Sequence, residues 1–339
     1  MKAGLERWLL QRWYGGAAPG PVLKSLALVY GALVRRRQAA FASGERTVIR
    51  LPVPVLVIGN LVAGGAGKTP LAIGLARALA RRGWKPGIAS RGHGRRGNAP
   101  TWARPDSDPA DCGDEPLLIA RQTGLPVAVD RDRVAAARRL VEEAGCNLVI
   151  ADDGLQHLRL GRDIEIEVRD GERRLGNGRL LPAGPLREPA HREVDFRVIN
   201  GGAAAPGEWR MDLRLGDARP LGPGEPKPLG LFAPGPVHGI AGIGNPARFF
   251  RALRGAGLDV LEHAFPDHHS YQAGELEFSP PAPRLMTEKD AVKCDGLGLR
   301  DAWAVPAVAE LPAAFVDAVH RRLAEARREP NPVPAREQT

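Results

Sequence analysis

The sequence predicts an α/β fold: a P-loop NTPase-type, mainly parallel sheet, a second, smaller α/β domain, and an N-terminal amphipathic helical segment. Three observations carry that prediction. Short apolar runs rich in β-branched residues alternate with helical patterns from residue 50 onward. A glycine-rich turn joins one such run to the helix that follows it. Residues 1–40 carry apolar stripes at helical spacing next to arginines.

In chain order, Leu5, Trp8, Leu9 and Trp13 recur at helical spacing, with Lys2, Arg7 and Arg12 around them. A Gly/Pro break over 15–21 follows. Val22, Leu26, Val29, Tyr30 and Leu33 then share one face of a stretch ending in Arg35, Arg36 and Arg37. Tryptophans and an apolar stripe beside a basic cluster suit a helix lying in a membrane interface. The same pattern serves a helical pair packed on the core, and these residues alone leave both readings open. Residues 53–58 read as a buried strand, 59–67 as a tight turn, and 68–82 as a helix with Leu71, Leu75, Ala78 and Leu79 on one face. Further strands are expected at 87–90, 126–130, 148–151, 164–168 and 196–200, with helices at 115–123 and 131–144. Residues 201–230, rich in Gly, Pro and Ala, read as a linker. A second series follows: strand 237–243, helix 246–255, strands 258–263, 284–286 and 302–308, and a closing helix 312–327. The expected division is therefore helices in 1–40, a P-loop domain in 41–200, a linker in 201–230, a second domain in 231–327 and a flexible tail in 328–339.

At 339 residues the chain suits one large or two medium domains. With 43% hydrophobic and 26% charged residues it can build a packed core in water. A net charge of +9 favours an anionic partner: nucleic acid, a phosphorylated ligand or an acidic membrane surface. An arginine-rich solvated surface accounts for the total equally well. Aromatics are 5% and no nucleic-acid module is visible, so no nucleic-acid partner is expected. No protein partner is evident. Cys112, Cys146 and Cys294 are far apart, which argues against a disulfide scaffold or a zinc site and fits a reducing compartment. No apolar run reaches the length of a membrane span. Glu6, Arg7, Gln11 and Arg12 interrupt the N-terminal apolar residues, unlike a cleavable signal peptide.

The strongest local motif runs over 57–70. Within it, Val62, Ala63, Gly64, Gly65, Ala66, Gly67, Lys68 and Thr69 stand between an apolar strand and an amphipathic helix. Glycines let consecutive backbone N–H groups turn toward one anion, and the helix N-terminus adds its positive dipole. Lys68 can reach the β- and γ-phosphates of ATP, and the Thr69 hydroxyl can ligate Mg²⁺. The usual pattern has glycine five residues before Gly67, where this chain has Val62.

Asp152 and Asp153 end an apolar strand, where ligands bind in open α/β sheets, and pair naturally with a metal on the phosphates. Gln156 and His157 continue that segment and can line the same site. Asp114 opens a helix after Gly113, and is either an N-cap or a base toward a substrate hydroxyl. Asp267 and His268 put an acid beside an imidazole, which serves as a structural pair, a proton relay or metal ligands. Arg91 and Arg95 stand among glycines and suit phosphate recognition. Asn60 directly precedes the glycine loop. Segments 186–189 and 287–290 are dense in charge.

Together these segments resemble the tetraacyldisaccharide 4′-kinase family, the lipid A 4′-kinases. The carriers are Gly59-Asn60 with 64–70, then 90–95, 113–116, 152–157, 181–188, 265–268 and 287–293, in family order over roughly 1–325. The family often has Tyr where this chain has His93, and Phe where it has Leu155. The resemblance implies transfer of the γ-phosphoryl group of ATP to the 4′-hydroxyl of a tetraacyl glucosamine disaccharide 1-phosphate, a late step of lipid A biosynthesis. It implies a monotopic enzyme on the cytoplasmic face of the inner membrane, reaching an acylated lipid substrate on an anionic surface. It also implies that Asp114 is the base, paired with His268, and that Asp152, Asp153 and Glu188 serve Mg²⁺. A membrane-associated P-loop switch ATPase is the rival reading; its signature lysine before the glycine pair is Ala63 here.

Overall fold

The computed structural model describes residues 2–328, with side chains described from 8 to 327. The expected tail from 329 onward, and the side chains of Lys2, Leu5 and Arg7, lie outside the described residues.

Two helices open the chain, α1 (Lys2–Tyr14) and α2 (Pro21–Ala42). The first lobe follows: β1 (Val55–Gly59), α3 (Lys68–Ala80), β2 (Pro86–Ser90), β3 (Thr101–Ala103), α4 (Pro109–Cys112), α5 (Asp114–Thr123), β4 (Val127–Val129), α6 (Arg133–Glu142), β5 (Leu148–Asp152), β6 (Ile164–Asp170), β7 (Phe196–Asn200) and β8 (Glu208–Leu215). The second lobe holds β9 (Arg219–Pro220), β10 (Pro236–Ala241), α7 (Pro246–Gly255), β11 (Asp259–Ala264), β12 (Arg284–Thr287), α8 (Glu288–Ala291) and β13 (Ala302–Val305). The chain ends with β14 (Ala307–Glu310) and α9 (Ala313–Arg328).

The large sheet has strand order β14-β8-β7-β6-β1-β5-β2-β4-β3. It is parallel except at its edges, where β14 and β3 pair antiparallel. Central strands β1, β2 and β5 are buried along their whole length, which is why they read as unbroken apolar runs. Chain order reverses at β1, whose neighbours are β5 and β6, and such a crossover opens a crevice at the carboxyl ends of the strands. On one face, Leu71, Leu75 and Leu79 of α3 pack with Phe315, Val319 and Leu323 of α9. Each such leucine stabilises the fold by about 1.5–3 kcal/mol through burial. The second sheet, β11-β10-β12-β13-β9, is parallel except for β9 and has its own core around Phe250, Leu253 and Trp303.

Two expectations need correction. Residues 201–230 are not a plain linker. Trp209, Met211, Leu213 and Leu215 alternate with polar residues, and this period of two forms β8, which extends the large sheet beside β7. The expected strand 302–308 is two strands in different sheets. Pro306 separates them, having no N–H to offer a ladder, and its carbonyl accepts from Gly216 N at 2.9 Å. The chain thereby returns to the first lobe before α9.

The N-terminal helices dock on the segment before β7. Trp13 Nε1 donates to Pro182 O at 3.1 Å, and the Tyr30 hydroxyl to Arg187 O at 2.9 Å. Elsewhere along α2, Val22, Leu26, Leu28, Val29 and Leu33 are exposed, Leu28 at 73%. Among the described residues no helix is long and apolar enough to cross a membrane.

Candidate active site

The glycine loop leaves β1 and enters α3 through Gly67, whose backbone is left-handed (φ 94°). A Cβ there would also stand 2.3 Å from Asn200 Nδ2, so a side chain is excluded twice. Asn200 supports the loop from below by donating to Ala66 O at 3.0 Å. Asn60 is fully buried and ties the loop to its lysine: Nδ2 donates to Gly64 O at 3.1 Å, and Oδ1 accepts from Lys68 Nζ at 3.2 Å. Gly64 and Gly65 are exposed, and Thr69 sits half-buried in the first turn of α3. Val62, at the position where the usual motif has glycine, is buried and bridges Leu186 in a short antiparallel contact. This loop is therefore braced by packing where others rely on a flexible residue.

β5 lies beside β1 with Asp152 opposite Ile58, which brings both acids to the loop. Asp153 faces two cations, Lys68 Nζ at 3.5 Å and Arg187 Nη1 at 3.2 Å. Burial would raise its pKa, but Lys68 and then Arg187 outweigh it and hold the carboxyl down at about 2. Asp152 behaves oppositely. Its carboxylate is buried and Oδ1 has no hydrogen-bond partner. Burial, with Glu115 and Asp153 nearby, pushes it up to about 7. An orphaned acceptor next to a phosphate loop is a place for a cation. Arg133, buried under the same strand ends, donates to Asp152 O at 3.1 Å.

Asp114 is presented by α5. Gly113 precedes it (φ 96°) and packs so tightly on Gly92 and His93 that a Cβ would lie 3.0 Å from each. From the second lobe, the turn after β11 carries His268, itself left-handed (φ 60°), a conformation that costs a non-glycine residue energy. His268 Nδ1 lies 3.6 Å from Asp114 Oδ2 and makes no hydrogen bond. Lys289 of α8 ties this corner together, donating to Glu115 Oε1 and Asp267 Oδ1 at 3.1 Å each. It also stands 3.3 Å from His268 Nε2. Burial opposes its charge, but Glu115 and Asp267 win and raise its pKa. Glu115 in turn would be raised by burial and is held low by Lys289 and Lys68.

Gln156 and His157 join the rim. Gln156 Nε2 donates to Asn60 O at 3.3 Å, and Arg37 of α2 donates to Gln156 O at 3.0 Å. Burial, then the charges of Arg133 and Arg91, lower His157 to about 4. Arg91 is exposed at this rim. Arg95 closes its own loop onto Asn98 O and Ala99 O. Glu188 is buried, and its Oε2 accepts from Arg192 at 2.6 Å and from Gln38 of α2 at 2.9 Å, so the carboxylate anchors α2. Among the described residues no group of three or more His, Cys, Asp or Glu side chains is arranged to hold a metal.

Glu115, Arg187 and Lys289 lie inside the segments 113–116, 181–188 and 287–293, and sequence alone assigns neither them nor Arg133 a specific role. Their partners are distant in the chain, Lys289 and Glu115 by 174 positions.

A lysine-tipped glycine loop at a sheet crossover, with paired acids beside it and an acid–imidazole pair facing it, defines a P-loop phosphotransferase. The family model for tetraacyldisaccharide-1-P 4′-kinase matches residues 20–324. The chain belongs to that family, and it is a kinase. A tetraacyldisaccharide 4′-kinase of Stenotrophomonas maltophilia is 51% identical over 323 residues, covering 92% of this chain and 95% of the relative. One from Xanthomonas euvesicatoria pv. vesicatoria is 52% identical over 319 residues, covering 89% and 92%. Among solved structures, LpxK from Aquifex aeolicus, crystallised in complex with ATP, superposes with a TM-score of 0.74 at 26% identity, covering 88% of this chain and 98% of that one. Family membership displaces the switch-ATPase alternative.

Proposed function

We propose that this chain transfers the γ-phosphoryl group of ATP to the 4′-hydroxyl of a tetraacyl glucosamine disaccharide 1-phosphate, the phosphorylation step of lipid A assembly. The observation that carries the reading is the meeting of two lobes. The loop with Lys68 lies on one side, and His268 reaches Asp114 from the other. Family membership supplies the acceptor class.

The backbone N–H groups of 64–68 and the Lys68 ammonium bind the phosphates. Thr69, Asp152 and Asp153 would hold Mg²⁺, and the unpartnered Asp152 Oδ1 fits that need. The ion would supply positive charge against the phosphates during transfer. Asp114 takes the proton of the 4′-hydroxyl, and His268, whose unpartnered Nδ1 faces Oδ2, receives that proton in turn and restores the carboxylate. The hydroxyl oxygen bonds to the γ-phosphorus while the bond to the β,γ-bridging oxygen breaks, and ADP leaves with that electron pair. Lys289 holds Asp267 and Glu115 so that the corner keeps its shape.

The exposed apolar face of α2, with Arg35, Arg36 and Arg37 at its end, lies on the cytoplasmic surface of an anionic membrane and brings the site to its lipid. The test is an assay in detergent micelles with γ-labelled ATP, Mg²⁺ and the tetraacyl disaccharide 1-phosphate. Label is expected in the lipid. Folded, ATP-binding protein that moves no label would overturn the assignment.

A further inference from the structure

Asp290 has no part in the site described above, yet it is fully buried and ionisable. Taking a carboxylate out of water is costly unless partners surround it, and four do. Oδ2 accepts from Gly242 N at 2.8 Å and from the Thr287 hydroxyl at 2.6 Å. Oδ1 accepts from the Tyr271 hydroxyl at 2.9 Å and from Lys293 Nζ at 2.7 Å.

Two of these donors lead to the active site. Gly242 begins the loop 242–245 that follows β10. A Cβ on Gly244 would stand 2.4 Å from Gly65 N, so this loop lies directly against the phosphate-binding loop. Its far end is held from the first lobe, where Arg173 donates to Gly244 O at 2.6 Å. Tyr271 leads to the other side. Its ring packs edge-on against Phe265 and His269, which bracket the turn carrying His268. A Cβ on Gly242 would meet the Tyr271 hydroxyl at 2.6 Å and Pro266 O at 3.1 Å, so loop and turn converge on this one hydroxyl. Burial and then Asp290 raise the tyrosine's pKa, which keeps it a donor.

We infer that Asp290 and Tyr271 are positioning residues for phosphoryl transfer. Asp290 fixes the 242–245 loop through Gly242 N, and Tyr271, held by the same carboxylate, sets the turn that holds His268 beside Asp114. The inference rests on the proposed role of His268 and goes beyond it, because neither Asp290 nor Tyr271 contacts the reacting groups.

Tyr271→Phe keeps the ring and removes only the donor. Asp290→Asn strands the buried Lys293 and is expected to destabilise the fold, so the tyrosine variant carries the test. In the micelle assay with the full chain, Tyr271→Phe is expected to lower kcat about tenfold at saturating ATP and lipid. Combined with His268→Ala, it is expected to cost nothing further, since the side chain it positions is gone. A Tyr271→Phe enzyme of wild-type rate overturns the inference. So do losses that multiply in the double variant, which would mark a general weakening of the fold. A His268→Ala enzyme of full rate sinks the proton relay itself, and the positioning role with it.

Discussion

His268 Nδ1 lies 3.6 Å from Asp114 Oδ2, and the two residues belong to lobes with separate sheets. That distance exceeds a hydrogen bond, and a shift of under about 1 Å would close it. A site of this kind completes itself when the lobes settle around both substrates and exclude water.

Removing the imidazole should therefore act on turnover. His268→Ala is expected to lower kcat by roughly 10- to 100-fold while leaving the KM for ATP within about twofold, because Lys68 and the glycine loop are untouched. Steady-state kinetics at saturating lipid check this. Full turnover in the variant would exclude the relay.

Asp152 ties metal use to pH. With its carboxyl pushed up to about 7, a proton competes with the cation below neutrality. The Mg²⁺ concentration for half-maximal rate should fall as pH rises from 6 to 8, by up to about tenfold per unit on the acid side. Asp152→Asn should abolish that slope. A wild-type Mg²⁺ requirement independent of pH would count against the assignment.

Much of this site was legible because its pieces are local. The strand, turn and helix around Lys68 are contiguous, and Asp152 and Asp153 end the neighbouring strand. What stayed hidden was long-range or masked. Nothing local couples Lys289 to Glu115, and β8 alternates within a stretch of glycine and proline that reads as a linker. Glu188 carries a motif's charge, but its distant partner Gln38 appears only when α2 docks.

The exposed face of α2 should bind lipid surfaces. Changing Leu26 and Val29 to Glu removes two exposed apolar side chains and adds like charge to an anionic surface. Each change is expected to weaken co-sedimentation with anionic vesicles by about tenfold. Unaltered vesicle binding would move the membrane contact elsewhere.

His157 is held neutral in the fold, at about 4, by burial and by Arg133 and Arg91. Its folded pKa is depressed, so its contribution to stability is present above the unfolded value near 6.5 and is lost as pH falls toward 4. The melting temperature should drop over that window, and His157→Gln should flatten the drop. An equally steep fall in the variant would assign acid sensitivity to other groups.

The most direct test of the central claim compares wild type with Asp114→Ala for transfer of label from γ-labelled ATP to the tetraacyl disaccharide 1-phosphate, with ATP binding measured in parallel. The account predicts label in the lipid for wild type, a loss of about 10²-fold or more in the variant, and ATP affinity nearly unchanged. Undiminished transfer by Asp114→Ala would contradict it and remove Asp114 from the chemistry.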